Sequence, residues 1–144
     1  MLDYVNTLGN VRCGFGKEYL AYGRMLRSPN IGTGKTEYEC NNPNINPSCG
    51  TYPLSGTKAY NDVVVSAYEA NGKVAIFFTN ITNKTVDVKF VLNALRDYGI
   101  STGDVLLTST VGDSLRNISQ IKNGTANIDL SLKAKEVYMI EISK

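Results

Sequence analysis

The chain has 144 residues, 42% of them apolar, so it is long enough for one domain with a core of its own. Its 15 basic and 13 acidic side chains are interspersed and leave a net charge of +2, which is not the basic stripe of a nucleic-acid binder. There is no histidine and no tryptophan, so a Ser-His-Asp or Cys-His catalytic pair and any histidine-bearing zinc site are excluded, and three cysteines alone make a poor metal cage.

At the start, Met1-Leu2-Asp3-Tyr4 has neither the basic nor the apolar region of a signal peptide. No apolar run approaches the ~18 residues of a membrane span; the longest is Val74-Ala75-Ile76-Phe77-Phe78. Phe15, Tyr19, Tyr22 and Leu26 recur at the period of an amphipathic helix. Ser28-Pro29 stops it, because proline disfavours helical geometry in the residue before it. Gly16 and Gly23 weaken it by about 1 kcal/mol each relative to alanine, so it has to dock on something, either a sandwich or a domain outside this chain.

Residues 28–61 are rich in Gly, Pro, Asn, Ser and Thr and read as a long loop or a loosely decorated strand region, with Lys35–Cys40 alternating well enough to form a strand. Cys40 and Cys49 flank the Asn/Pro run 41–48, where a disulfide pins the base of the loop or two unrelated thiols stand. The disulfide implies an oxidising compartment and leaves Cys13 over, expected buried near the helix. From residue 62 the pattern is β. Residues 62–69 and 73–80 flank Asn71-Gly72, the strongest short hairpin signal, because a type I′ turn needs two residues that tolerate positive φ. Strands follow at 85–92, 105–110, 126–132 and 136–143, with a turn or short helical turn at 93–99 and a polar turn at 117–124.

These elements predict an all-β fold: an antiparallel β-sandwich of about 7–8 strands with one N-terminal α-helix. The expected organisation is a helical segment 1–30, a loop and edge region 31–61 and a sandwich 62–144. Four Asn-x-Ser/Thr sequons, at Asn80, Asn83, Asn117 and Asn123, are glycosylation candidates or unmodified turn residues. The Gly-rich run Ile31–Thr36 lacks the first glycine of a phosphate loop, and Gly14-Phe15-Gly16 lacks the third of a dinucleotide fingerprint. Glu37 with Glu39, or Asp104 with Asp113, are carboxylate pairs that read as solvated surface. Tyr38, Tyr52 and Tyr60 are candidate ligand-binding residues, since exposed tyrosines stack on the apolar faces of sugars, or they cover the sandwich edge or pack on a neighbouring domain. No catalytic residue, metal ligand or cofactor is assigned.

Two stretches carry a resemblance: Lys17–Leu26 followed by Pro29, and Val63–Tyr68 with Gly72–Thr82 and the closing Val137–Ile142. Together they resemble the tail of certain TIM-barrel glycoside hydrolases, in which the last barrel helix leads into an all-β C-terminal sandwich. The resemblance implies a non-catalytic accessory sandwich that supports a catalytic barrel domain, an extracellular or cell-surface location, and polysaccharide as a possible ligand. The catalytic carboxylates of such families lie on the barrel, so none is carried over. The alternatives are an independent carbohydrate-binding or adhesin-like module and a structural surface protein. Neither nucleic acid nor membrane is expected as a partner.

Overall fold

The computed structural model describes residues 2–40 and 56–143. Thirteen elements follow in order: helix α1 (Leu2–Cys13), helix α2 (Lys17–Tyr22), then strands β1 (Arg24–Leu26), β2 (Lys35–Cys40), β3 (Gly56–Asn61), β4 (Val63–Ala70), β5 (Lys73–Asn80) and β6 (Val86–Asn93). Helix α3 (Ala94–Tyr98) and strands β7 (Gly103–Ser109), β8 (Gly112–Ile121), β9 (Thr125–Leu132) and β10 (Val137–Ser143) complete the fold. All paired strands run antiparallel, and the chain is an all-β sandwich with helices at its N-terminal end.

One layer is a six-stranded sheet in the order β1-β4-β5-β10-β7-β8, and the other is the pair β6-β9. β9 is buried at every second residue, Ala126, Ile128, Leu130 and Leu132, while Asn127, Asp129 and Ser131 are exposed. That is the alternation of a strand with one wet face. These side chains meet Val74, Ile76, Phe78, Val105, Leu107, Tyr138, Ile140 and Ile142 from the large sheet. Burying such aliphatic and aromatic groups is the main stabilising term, about 1.5–3 kcal/mol for each side chain.

The central strands β5 and β10 differ from β9. Both are buried at successive positions, Val74 to Phe78 and Val137 to Ile142. Near-continuous apolar runs mark strands covered on both faces. The second cover is helical: Val11 of α1 and Tyr19 of α2 pack on Ala75, Phe77, Val137 and Met139.

Turn chemistry matches the expectation at Asn71-Gly72, with φ of 49° and 76°. Of the turn or short helical turn expected at 93–99, the structure has the helical form, α3, which ends on left-handed Gly99 with φ 71°. Four differences have local causes. The predicted helix through Leu26 is cut at Tyr22. Gly23 turns extended (ψ 152°), and Arg24–Leu26 pairs with Glu69–Ala67 at the edge of the sheet, where backbone groups gain strand partners. The polar turn predicted for 117–124 contracts to Asn123-Gly124, with φ of 52° and 79°, and most of it joins β8. The loop region holds a second strand, β3, paired with β2 over Lys35–Cys40 and Gly56–Asn61. Helix α1 lacks an apolar stripe and was not predicted from periodicity.

Two residues need correction. Cys13 is exposed at the end of α1, not buried. Asn80 is fully buried: its Nδ2 donates to the carbonyls of Lys84 (2.8 Å), Leu132 (3.0 Å) and Lys133 (3.1 Å), and its Oδ1 accepts from Thr82 N (2.9 Å) and Oγ1 (2.7 Å). An amide enclosed this way ties β5 to the end of β9 and has no room for a glycan. Asn83, Asn117 and Asn123 are exposed. Cys49, and with it the Cys40–Cys49 disulfide, lies outside the described residues.

Candidate functional site

The outer face of the large sheet, under the helices, holds two of the buried polar side chains among the described residues, Thr108 and Glu141. Register places Glu141 of β10 between Ala75 of β5 and Leu106 of β7. Its odd-numbered neighbours Val137 and Met139 point to the same helical layer, so Glu141 is covered too, at 8% exposure. The Tyr19 hydroxyl donates to Glu141 Oε2 (2.5 Å), and Lys73 Nζ donates to Oε1 (3.0 Å). Both carboxylate oxygens therefore have a donor, as a buried charge requires.

Tyr19 also meets Phe77 edge to face, with centroids 6.4 Å apart, and Tyr68 meets the same ring at 5.9 Å. Burial pushes the Tyr19 phenol well above its ordinary value, and the hydrogen bond to Glu141 and that carboxylate's charge add to the shift. The hydrogen bond to Glu141 and its charge likewise raise Lys73. The result is a protonated phenol and an ammonium clamped on one carboxylate. It docks a helix on a sheet.

Beside this clamp a cleft of about 540 Å³ opens between α1 and the β7 side of the sheet. Its walls include Thr7, Asn10, Phe15, Thr108, Thr110 and Glu136. Thr108 pairs with Met139, so its side chain belongs to the outer face, and Thr110 follows just past the end of β7. The Thr110 hydroxyl donates to Glu136 Oε2 and accepts from Val137 N at 3.0 Å. Thr108 is 4% exposed, and its Oγ1 is the buried side-chain polar atom without a hydrogen bond among the described residues. Such a group costs about 1–3 kcal/mol.

Of the sequence-predicted ligand residues, Tyr60 is 49% exposed. It helps line a second cleft, of about 560 Å³, with residues of the 28–33 segment and of β4. Tyr38 lies on β2 opposite Lys58; its side chain and all of Tyr52 are outside the described residues. Of the carboxylate pairs, one member each is described: Glu37 is exposed, and Asp104 accepts from Gln120 Nε2 at 3.2 Å. The side chains of Glu39 and Asp113 are outside the described residues. Among the described residues no group of three or more Cys, Asp or Glu gathers to hold a metal ion, and no helix is long and apolar enough to cross a membrane.

The helical layer has a second character. Val5 and Leu8 of α1 are 59% and 40% exposed, Tyr22 of α2 is 79% exposed, and Met25 of β1 is 69% exposed. Val5 and Leu8 are three apart and so share one face of their helix.

No protein-family model and no curated protein sequence matches the chain. Parts of solved glycoside hydrolases are similar to it in backbone. One is a GH30 endoxylanase from Clostridium papyrosolvens C71, at 21% identity and a TM-score of 0.44, covering 62% of this chain and 23% of that one. Another is a glycoside hydrolase family 30 subfamily 8 xylanase from Clostridium acetobutylicum, at 22% identity and a TM-score of 0.44, covering 79% and 25%. A GH27 β-L-arabinopyranosidase from Geobacillus stearothermophilus shows 17% identity and a TM-score of 0.40, covering 59% and 18%. The chain thus spans about a quarter or less of these proteins' lengths.

Proposed function

We propose that the chain is a non-catalytic accessory β-sandwich of a larger carbohydrate-active enzyme, a glycoside hydrolase, and that it stabilises a catalytic barrel domain packed on its helical layer. The observation that carries this reading is the unequal treatment of apolar side chains on that layer. Val11 and Tyr19 are buried against the sheet, while Val5, Leu8, Tyr22 and Met25 stand outward. Four of the ten exposed large hydrophobic side chains among the described residues belong to this layer, and apolar side chains left outward are what another protein unit would cover. The sequence pattern resembling the tail of barrel glycoside hydrolases agrees with it, and so does a charged-residue set without histidine.

The role is mechanical. The six-stranded sheet, braced by β6-β9 on its inner face, presents α1, α2 and β1 as a firm platform. An extracellular or cell-surface location follows from polysaccharide as the parent enzyme's substrate. The test is an immunoblot of native extract with an antibody raised against this chain. A band several times larger than 15.7 kDa supports the reading. A band at that mass overturns it.

A further inference from the structure

We propose that the cleft between α1 and β7 binds a single neutral sugar ring. This does not rest on the accessory-domain role; the immunoblot above can fail while the binding stands. Three observations converge on it. The cleft measures about 540 Å³, within the roughly 300–1,000 Å³ of small-molecule sites. Its polar wall consists of hydroxyls, one amide and one carboxylate: Thr7, Asn10, Thr108, Thr110 and Glu136, with no Lys or Arg among the described residues that line it. An anion finds no counter-charge there, whereas a polyol finds both donors and acceptors. Phe15 adds an aromatic surface, which suits the apolar face of a pyranose.

The third observation is Thr108. A hydroxyl that is buried and unpaired is rare in folded proteins and asks for an explanation. It sits on the wall of this cleft, not in a dry core. One χ1 step moves a threonine oxygen between staggered positions without disturbing the strand, so a ligand hydroxyl in the cleft can meet it. Glu136, already holding the Thr110 hydroxyl, keeps acceptor capacity for a second donor. The site is separate from the Tyr60 cleft, which is lined by other elements.

The test titrates the whole chain with xylose, glucose, galactose and N-acetylglucosamine and follows backbone amide shifts by NMR. At least one sugar is expected to bind, moving amides of Thr7–Phe15 and Thr108–Thr110. Thr108→Val, a near-isosteric change, is expected to weaken that sugar by about tenfold, the worth of one hydrogen bond, while raising the melting temperature without ligand. Asn10→Ala, on an exposed helical position, is expected to weaken it as well. The proposal is overturned if no sugar shifts these amides, if the shifts centre on Tyr60, or if Thr108→Val binds as tightly as the parent.

Discussion

The two faces of the six-stranded sheet are built on different chemistry. The inner face meets β6-β9 through aliphatic and aromatic groups such as Ile76, Phe78, Leu92, Ile128, Leu132 and Ile140. The outer face meets the helices through a smaller apolar set and a polar clamp, Tyr19–Glu141–Lys73, and next to it lies a cleft with an unpaired hydroxyl. An apolar interface tolerates no choice of partner geometry beyond close packing. A clamp fixes one orientation at a desolvation cost. The inner face therefore accounts for most of the stability, and the outer face for placing α1 and α2 where the outward apolar residues and the cleft are formed.

The sharpest way to break this contrast is in the inner core. Phe78 is fully buried and packs on Phe90 with centroids 5.9 Å apart. Phe78→Ala is expected to cost about 3–5 kcal/mol, read as a fall in the urea midpoint. Gly124→Ala comes next. The turn there needs φ of 79°, and an added Cβ would collide with Leu95 of α3. A loss of more than about 1 kcal/mol is expected from the strained backbone alone, and the crossing from β8 to β9 should lose amide-exchange protection.

On the outer face, Tyr19→Phe leaves Glu141 with Lys73 as its remaining side-chain donor and is expected to cost about 1–2 kcal/mol. It also sharpens the comparison through pH. Tyr19 and Tyr98 both titrate higher in the fold than their ordinary 10.0; burial pushes Tyr98 up to about 12, with the Asp97 charge adding to it. A group raised in the fold contributes stability that is complete below its unfolded value and is lost as pH climbs toward its folded value. The parent chain should thus lose stability from about pH 10 upward, and Tyr19→Phe should flatten that alkaline limb in melting curves. The smallest effect belongs to the outward residues. Val5→Ser with Leu8→Ser is expected to change the stability of this chain by no more than about 0.5 kcal/mol. In the proposed parent enzyme the same pair is expected to lower the melting temperature of the whole. An unchanged whole-protein melt would argue against a barrel seated there.

The outer face was the harder one to read. Glu141 lies in a strand whose even positions point inward, so its own parity suggests solvent. The corrective signal was present in the unbroken apolar runs of β5 and β10, which imply cover on both sides. Asn80 reads as a sequon because the motif is local, yet carbonyls from residues 84, 132 and 133 enclose it. Tyr60 is 49% exposed, and the Thr108 cleft has no sequence motif at all.

What the sequence determined by itself was the class of fold and its local punctuation. Period-two alternation in β6 and β9, the β-branched composition of β4 and β5, and Asn-Gly at 71–72 act over neighbouring residues, where steric rules decide the backbone. The missing histidine bounded the chemistry in the same direct way. Only the tertiary structure decided that the helix ends at Gly23 and gives way to an edge strand, that a second helix precedes it, and that Tyr19, Lys73 and Glu141 meet. Those outcomes depend on contacts between residues as many as 122 positions apart. Such contacts form because separate elements share one buried face, and no local pattern specifies which elements those are.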